Sequence, residues 1–124
     1  LKAVSVLLID DELFNYELLK AVLGKKYQFN YADSAEQGLA MSMTSLPDVI
    51  LLDICMPGLD GYDTCRLLKN TPETQHIPVI LLTGLDNDED QKEGFEAGCD
   101  AYITKPIEVT ELIKKIKQLS ETKI

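Results

Sequence analysis

The stretch Val49-Ile50-Leu51-Leu52-Asp53 decides the fold. A short unbroken aliphatic run, bounded by turn formers, is the pattern of a strand buried on both faces of a parallel sheet. Three further runs repeat it. Val4-Ser5-Val6-Leu7-Leu8-Ile9 stops at Asp10-Asp11, Val79-Ile80-Leu81-Leu82 stops at Thr83, and Ala101-Tyr102-Ile103-Thr104 stops at Lys105-Pro106. In an open parallel sheet the ligand crevice lies just beyond the carboxyl ends of the strands. Three carboxylates, a hydroxyl and an ammonium are therefore expected along one sheet edge.

Helical patterns alternate with these runs, which specifies βα units. Phe14, Leu18, Ala21 and Val22 lie at helical spacing within 12–23, closed by Gly24. Residues 27–32 read as a more polar strand, as at a sheet edge. Ser34 with Gln37 is a capping box for a helix to about Thr44. Asp60 is placed to cap a helix through Lys69, broken by Thr71-Pro72. A helix over 86–97 has only Phe95 and Ala97 as apolar anchors among many acids, and Gly98 ends it. Val109, Leu112, Ile113, Ile116 and Leu119 give the last helix a clear apolar stripe. Five strands and five helices result, and the polar end Ser120-Glu121-Thr122-Lys123 reads as the start of a linker or a fraying terminus.

Composition excludes several classes. A chain of 124 residues, 45% hydrophobic and 27% charged, can fold around one core without disulfides or a structural metal. A net charge of −9 opposes direct binding of nucleic acid, which needs a basic patch. No apolar run reaches the length of a membrane span, and the first residues do not form a signal peptide. Cys55, Cys65 and Cys99 are odd in number, lack metal-ligand spacing and suit a reducing, cytoplasmic setting. Cys65 and Cys99 read as small packed residues, and His76 as a solvated loop residue.

Three clustered carboxylates repel one another unless a cation lies among them. Oxygen ligands suit a hard divalent ion, so Asp10, Asp11 and Asp53 read as a magnesium pocket; zinc would want His or Cys. Asp53 ends the middle strand and is the best-placed nucleophile, forming an aspartyl phosphate on attack. A transferring phosphoryl group carries spread negative charge, which Lys105 could stabilise while Thr83 donates a hydroxyl. Taken singly, Asp10 or Asp11 is a turn or N-cap residue, Lys105 a solvated charge and Thr83 a local turn bond. Their shared placement at strand ends is what makes them a site.

The segments Leu8-Ile9-Asp10-Asp11-Glu12, Leu51-Leu52-Asp53-Ile54-Cys55-Met56-Pro57-Gly58-Leu59-Asp60-Gly61, Leu82-Thr83-Gly84 and Thr104-Lys105-Pro106 closely resemble the receiver domain of two-component response regulators. The resemblance runs in order along essentially the whole chain. It implies a flavodoxin-like doubly wound sheet of five parallel strands, order 2-1-3-4-5, flanked by five helices. It implies that Asp53 accepts a phosphoryl group from a histidine kinase or phosphotransfer protein in a phosphorelay. Asp11, Asp53 and the backbone carbonyl of Cys55 would bind Mg2+, with Asp10 acting through water. Lys105 would contact the phosphoryl group, and the Lys105-Pro106 bond would be cis. Thr83 and Tyr102 match the family's switch pair, in which the hydroxyl moves toward phosphate and the ring turns inward.

Cys55 and Leu85 occupy positions that tune hydrolysis of the aspartyl phosphate in the family, and Leu85 cannot orient an attacking water. A long-lived phosphoryl state is expected. Gly84 and Cys99 depart from the commonest family forms, where alanine is frequent, without removing a required group. The stretch Gly61 to Arg66, with His76-Ile77-Pro78-Val79-Ile80, looks like receivers placed ahead of signalling output domains. The chain reads as a single receiver domain, 1–124; its start at Leu1 leaves open that it is a segment cut from a larger protein, with a C-terminal output domain outside it. The poorly anchored helix, last strand and last helix form the expected switching and partner face, with homodimerisation through it a family expectation.

Three other classes compete. A docking module independent of phosphorylation would usually have lost one of Asp10, Asp11, Asp53, Thr83 or Lys105. A phosphatase of the haloacid dehalogenase type expects Asp-x-Asp after its first strand, where Asp10-Asp11-Glu12 stands. A flavin carrier needs a hydroxyl-rich phosphate loop there, and three acids would repel that phosphate.

Overall fold

The computed structural model describes residues 3–55, 60–84 and 88–121. Strands and helices alternate as β1 (Ser5–Ile9), α1 (Leu13–Leu23), β2 (Gln28–Ala32), α2 (Ala35–Ser45), β3 (Val49–Asp53), α3 (Gly61–Asn70), β4 (Val79–Thr83), α4 (Asp88–Glu96), β5 (Ala101–Thr104) and α5 (Val109–Glu121). All strand pairs are parallel, in the order β2-β1-β3-β4-β5. This is the flavodoxin-like sheet that the sequence implies.

Aliphatic runs make this sheet because their side chains are buried on both faces. Every residue of β3 and β4 is buried, whereas the edge strand β2 alternates. Leu7, Ile9, Ile50, Leu52 and Leu81 meet α2 and α3 on one face. Val6, Leu8, Leu51, Ile80 and Leu82 meet α1 and α5 on the other.

Local chemistry sets the helix ends. Ser34 Oγ accepts from the Gln37 N–H at 3.1 Å, and Gln37 Oε1 returns to the Asp33 N–H at 2.8 Å. Asp60 Oδ1 accepts from the Tyr62 N–H at 2.7 Å and starts α3. Gly61 packs directly on the Ile54 backbone, where a Cβ would collide. Gly98 stops α4 with φ +100, while the Cys99 N–H bonds the Gly94 carbonyl at 3.2 Å. Gly24, by contrast, is right-handed at φ −65, and Leu46 takes the left-handed cap of α2 at φ 46.

Two helices present other faces than their spacing suggests. On α1, Leu19 and Leu23 are buried, while Phe14, Leu18, Ala21 and Val22 are exposed. On α4, Gly94 is the buried residue and Phe95 is 51% exposed; Ala97, just beyond, is buried as expected. Cys65 and Cys99 are packed in the core, where burial raises their thiols to about 11 and about 12, and His76 is exposed.

At the entry edge of the sheet, side chains tie strands together. Asp48 Oδ2 accepts from the Ser5 N–H at 2.8 Å. Asp100 Oδ2 accepts from both the Val79 N–H and Lys69 Nζ at 2.8 Å, and Lys69 Nζ also donates to the Ile77 carbonyl at 2.8 Å.

Candidate functional site

Register brings the strand exits level. Ile9 pairs with Leu52, Asp53 with Leu82, and Thr83 with Thr104. Backbone bonds carry the ladder past the strand ends, from the Asp10 N–H to the Ala32 carbonyl and from the Lys105 N–H to the Thr83 carbonyl. Asp10, Asp53, Thr83 and Lys105 thus leave one edge at one level.

The carboxylates converge there. Oxygens of Asp10, Asp11 and Asp53 lie within 4.8 Å of one another. Asp10 and Asp53 are each 1% exposed, whereas Asp11 is exposed at the rim. Asp53 Oδ2 lies 3.3 Å from Lys105 Nζ, and its Oδ1 accepts from the Cys55 N–H at 2.9 Å. Asp10 Oδ1 accepts from the Glu12 N–H at 2.9 Å, and Oδ2 from the Asn15 amide at 3.2 Å. Burial pushes the Asp10 carboxyl up to about 6, with the Asp53 charge adding to it and the Glu12 N–H opposing. All-oxygen donors around buried, repelling charge fit a hard divalent cation.

Thr83 is fully buried at the end of β4. Tyr102 is half-buried beneath α4, its ring centroid 6.5 Å from that of Phe95. Tyr62 donates its hydroxyl to the Asp90 carbonyl at 3.3 Å and is hydrogen-bonded to Tyr102, which links α3, α4 and β5. Cys55 is exposed next to Asp53, and the Lys105-Pro106 peptide is cis. Leu85, and Met56 to Leu59 of the acceptor loop, lie outside the described residues.

The sequence did not single out Asn15. Its signal was position: five residues beyond Asp10, in the first turn of α1, a carboxamide can reach back over the helix start. Asn15 and Lys105 also line a cleft of about 320 Å³ between α1 and the β5–α5 connection, with Leu18, Val22 and Ile107.

Fold and site together define a doubly wound α/β domain with an acidic, lysine-bearing pocket at its strand exits. The response regulator receiver domain family matches residues 6–117, and the chain belongs to that family. Response regulator PleD of Caulobacter vibrioides is 42% identical over 98% of the chain, which spans 27% of PleD's length. Protein PilH of Pseudomonas aeruginosa is 38% identical over 90% of the chain and 93% of its own length. A putative response regulator from Chloroflexus aurantiacus superposes with a TM-score of 0.87 at 35% identity, covering 95% of this chain and 98% of that one. Among the described residues, no helix is long and apolar enough to cross a membrane.

Proposed function

We propose that the chain is a phosphoacceptor receiver, charged at Asp53 by a histidine kinase or phosphotransfer protein in a Mg2+-dependent reaction. The observation that carries this is the 3.3 Å pair of Lys105 and buried Asp53 inside a cluster of three carboxylates. An Asp53 oxygen attacks phosphorus, the bond to the donor's imidazole nitrogen breaks, and an aspartyl phosphate forms. Lys105 then turns from the carboxylate to the new phosphoryl oxygens, while the Cys55 N–H stays on Asp53 Oδ1. Asp10, Asp11, Asp53 and the Cys55 carbonyl would hold the cation, with Asp10 acting through water; when bound, it supplies charge neutralisation to the transferring group. Water attack on the acyl phosphate returns the carboxylate and releases inorganic phosphate. The protein is a switch supporting its own dephosphorylation rather than an enzyme for a separate substrate.

Thr83 and Tyr102 pass the change to α4, β5 and α5, the face on which an effector or a second copy would be engaged. The chain's 27% share of PleD suits a single receiver domain, 1–124, of a larger protein with an output domain, whereas its 93% share of PilH suits a receiver that stands alone; a cytoplasmic setting belongs to either reading.

The test is intact-mass analysis after incubation with MgCl2 and a small acyl phosphate. Wild type should gain one phosphoryl group, and Asp53→Asn or omission of magnesium should abolish the gain. No gain with the small donor and none with a protein donor would favour the phosphorylation-independent docking module.

A further inference from the structure

We infer that Asn15 is a positioning residue for cation binding, acting through Asp10. The inference rests on the magnesium-dependent reading above and assigns a role within that same site.

Asp10 is held at 1% exposure beside a second buried carboxylate, so electrostatics push the two groups apart. The terminal torsion of an aspartate is soft and broad, so repulsion alone would swing its oxygens away. Two donors prevent this. The Glu12 N–H fixes Oδ1 at 2.9 Å, and the Asn15 amide fixes Oδ2 at 3.2 Å. One bond would leave the carboxyl plane free to turn; a donor on each oxygen sets it. Each oxygen keeps a lone pair for a cation or its bound water.

The choice of residue follows from the charge balance. Lysine or arginine at position 15 would pair with Asp10 and compete with the cation, and aspartate would add to the repulsion. Asparagine donates a hydrogen bond and carries no charge. It does so in the first turn of α1, where Glu12, the N-cap, makes no side-chain cap. A side chain that could serve the helix start is directed instead onto Asp10. Asn15 also lines the cleft that holds Asp10 and Lys105, so it stands at the pocket mouth rather than in the core.

Amide NMR titration with MgCl2 tests this on wild type, Asn15→Ala, Asp10→Asn and the double variant. Outer-shell partners of metal ligands typically contribute tenfold or more to affinity, so Asn15→Ala should raise Kd about tenfold. Alanine gains helix propensity but leaves Asp10 Oδ2 without its donor, so the melting temperature without cation should change by no more than a few degrees, and the variant remains folded for the titration. In the Asp10→Asn background, removing Asn15 should change Kd no further. An unchanged Kd in Asn15→Ala, with wild type binding normally, overturns the inference alone. So does a full additional loss in the double variant, which would mean that Asn15 acts without Asp10. Absence of wild-type binding overturns both this inference and the reading beneath it.

Discussion

Asp10 carries the clearest pH dependence of any residue here. Its carboxyl ionises near 6 in the fold against a reference value of 3.8, chiefly because burial disfavours the charge. With the folded value raised, the protonated form stabilises the fold fully below pH 3.8, and that contribution is lost as pH rises through 6. Without divalent cation, stability should therefore fall between pH 4 and 6.5, by on the order of 1–2 kcal/mol after allowance for solvent at the pocket mouth. Urea unfolding across that range should show the slope in wild type and lose most of it in Asp10→Asn. Cation affinity should move oppositely, weakening as pH drops below 6, because a protonated Asp10 is a poor ligand. A second residue-scale effect lies at Tyr27, 7% exposed, whose hydroxyl has no hydrogen-bond partner among the described residues. Burying an unpaired hydroxyl costs free energy, so Tyr27→Phe should stabilise the protein by about 1 kcal/mol in urea titrations.

At the scale of elements, α1 and α4 show where sequence reading stops. The helix α1 has apolar residues at 13, 14, 18, 19, 22 and 23, enough for two adjoining stripes. Spacing reveals the helix but not which stripe the sheet will take, and the sheet takes Leu19 and Leu23. Phe14, Leu18 and Val22 are left 71%, 56% and 41% exposed on α1, and Leu18 and Val22 line the cleft with Asp10 and Lys105. Under the proposed function a protein donor would approach Asp53 past this helix, and an exposed apolar patch rimmed by polar groups is a usual contact surface. Phe14→Ala should therefore raise KM about tenfold for a phosphorylated protein donor, leaving phosphorylation by a small acyl phosphate unchanged. On α4 the apolar candidate was Phe95, yet the buried contact is Gly94, whose missing side chain admits the Tyr102 ring and Leu81. Periodicity counts large apolar residues and overlooks a glycine used for closeness. With so little buried, α4 amides should exchange hydrogen faster than those of α3, which buries Tyr62, Thr64, Cys65 and Leu68. Phosphorylation should change exchange on α4 and β5 while leaving β3 as it was.

For the whole molecule, the site's location followed from where four aliphatic runs end, while the strand order β2-β1-β3-β4-β5 was implied by the family resemblance and not by the runs. The level exits seen at Asp53, Thr83 and Lys105 come from parallel register, which the runs' similar lengths already imply. What the runs could not give was contact between partners on different elements, such as Asn15 with Asp10 or Tyr62 with α4. Those depend on helix rotation, set by packing rather than by spacing. The gathered carboxylates also affect the molecule as a whole. Saturating Mg2+, at a hundredfold excess over Kd, should add about 2.7 kcal/mol, a rise in Tm of roughly 5–10 °C. A thermal scan against NaCl of matched ionic strength measures this, and Asp11→Ala should lose most of it.

The ties at the entry edge bear on how such a domain moves. Asp48 joins the start of β1 to the turn before β3, while Asp100 and Lys69 fasten α3 to the approaches of β4 and β5. One margin of the sheet is stitched and the opposite margin carries the chemistry. A disturbance at the chemical margin then has a side-chain-stitched selvedge to work against, which opposes its absorption by strands sliding past one another. Paired spin labels on the described entry-edge turns should therefore show a smaller change in separation on phosphorylation than labels across the strand exits, which makes the stitched edge the reference for travel of the far rim.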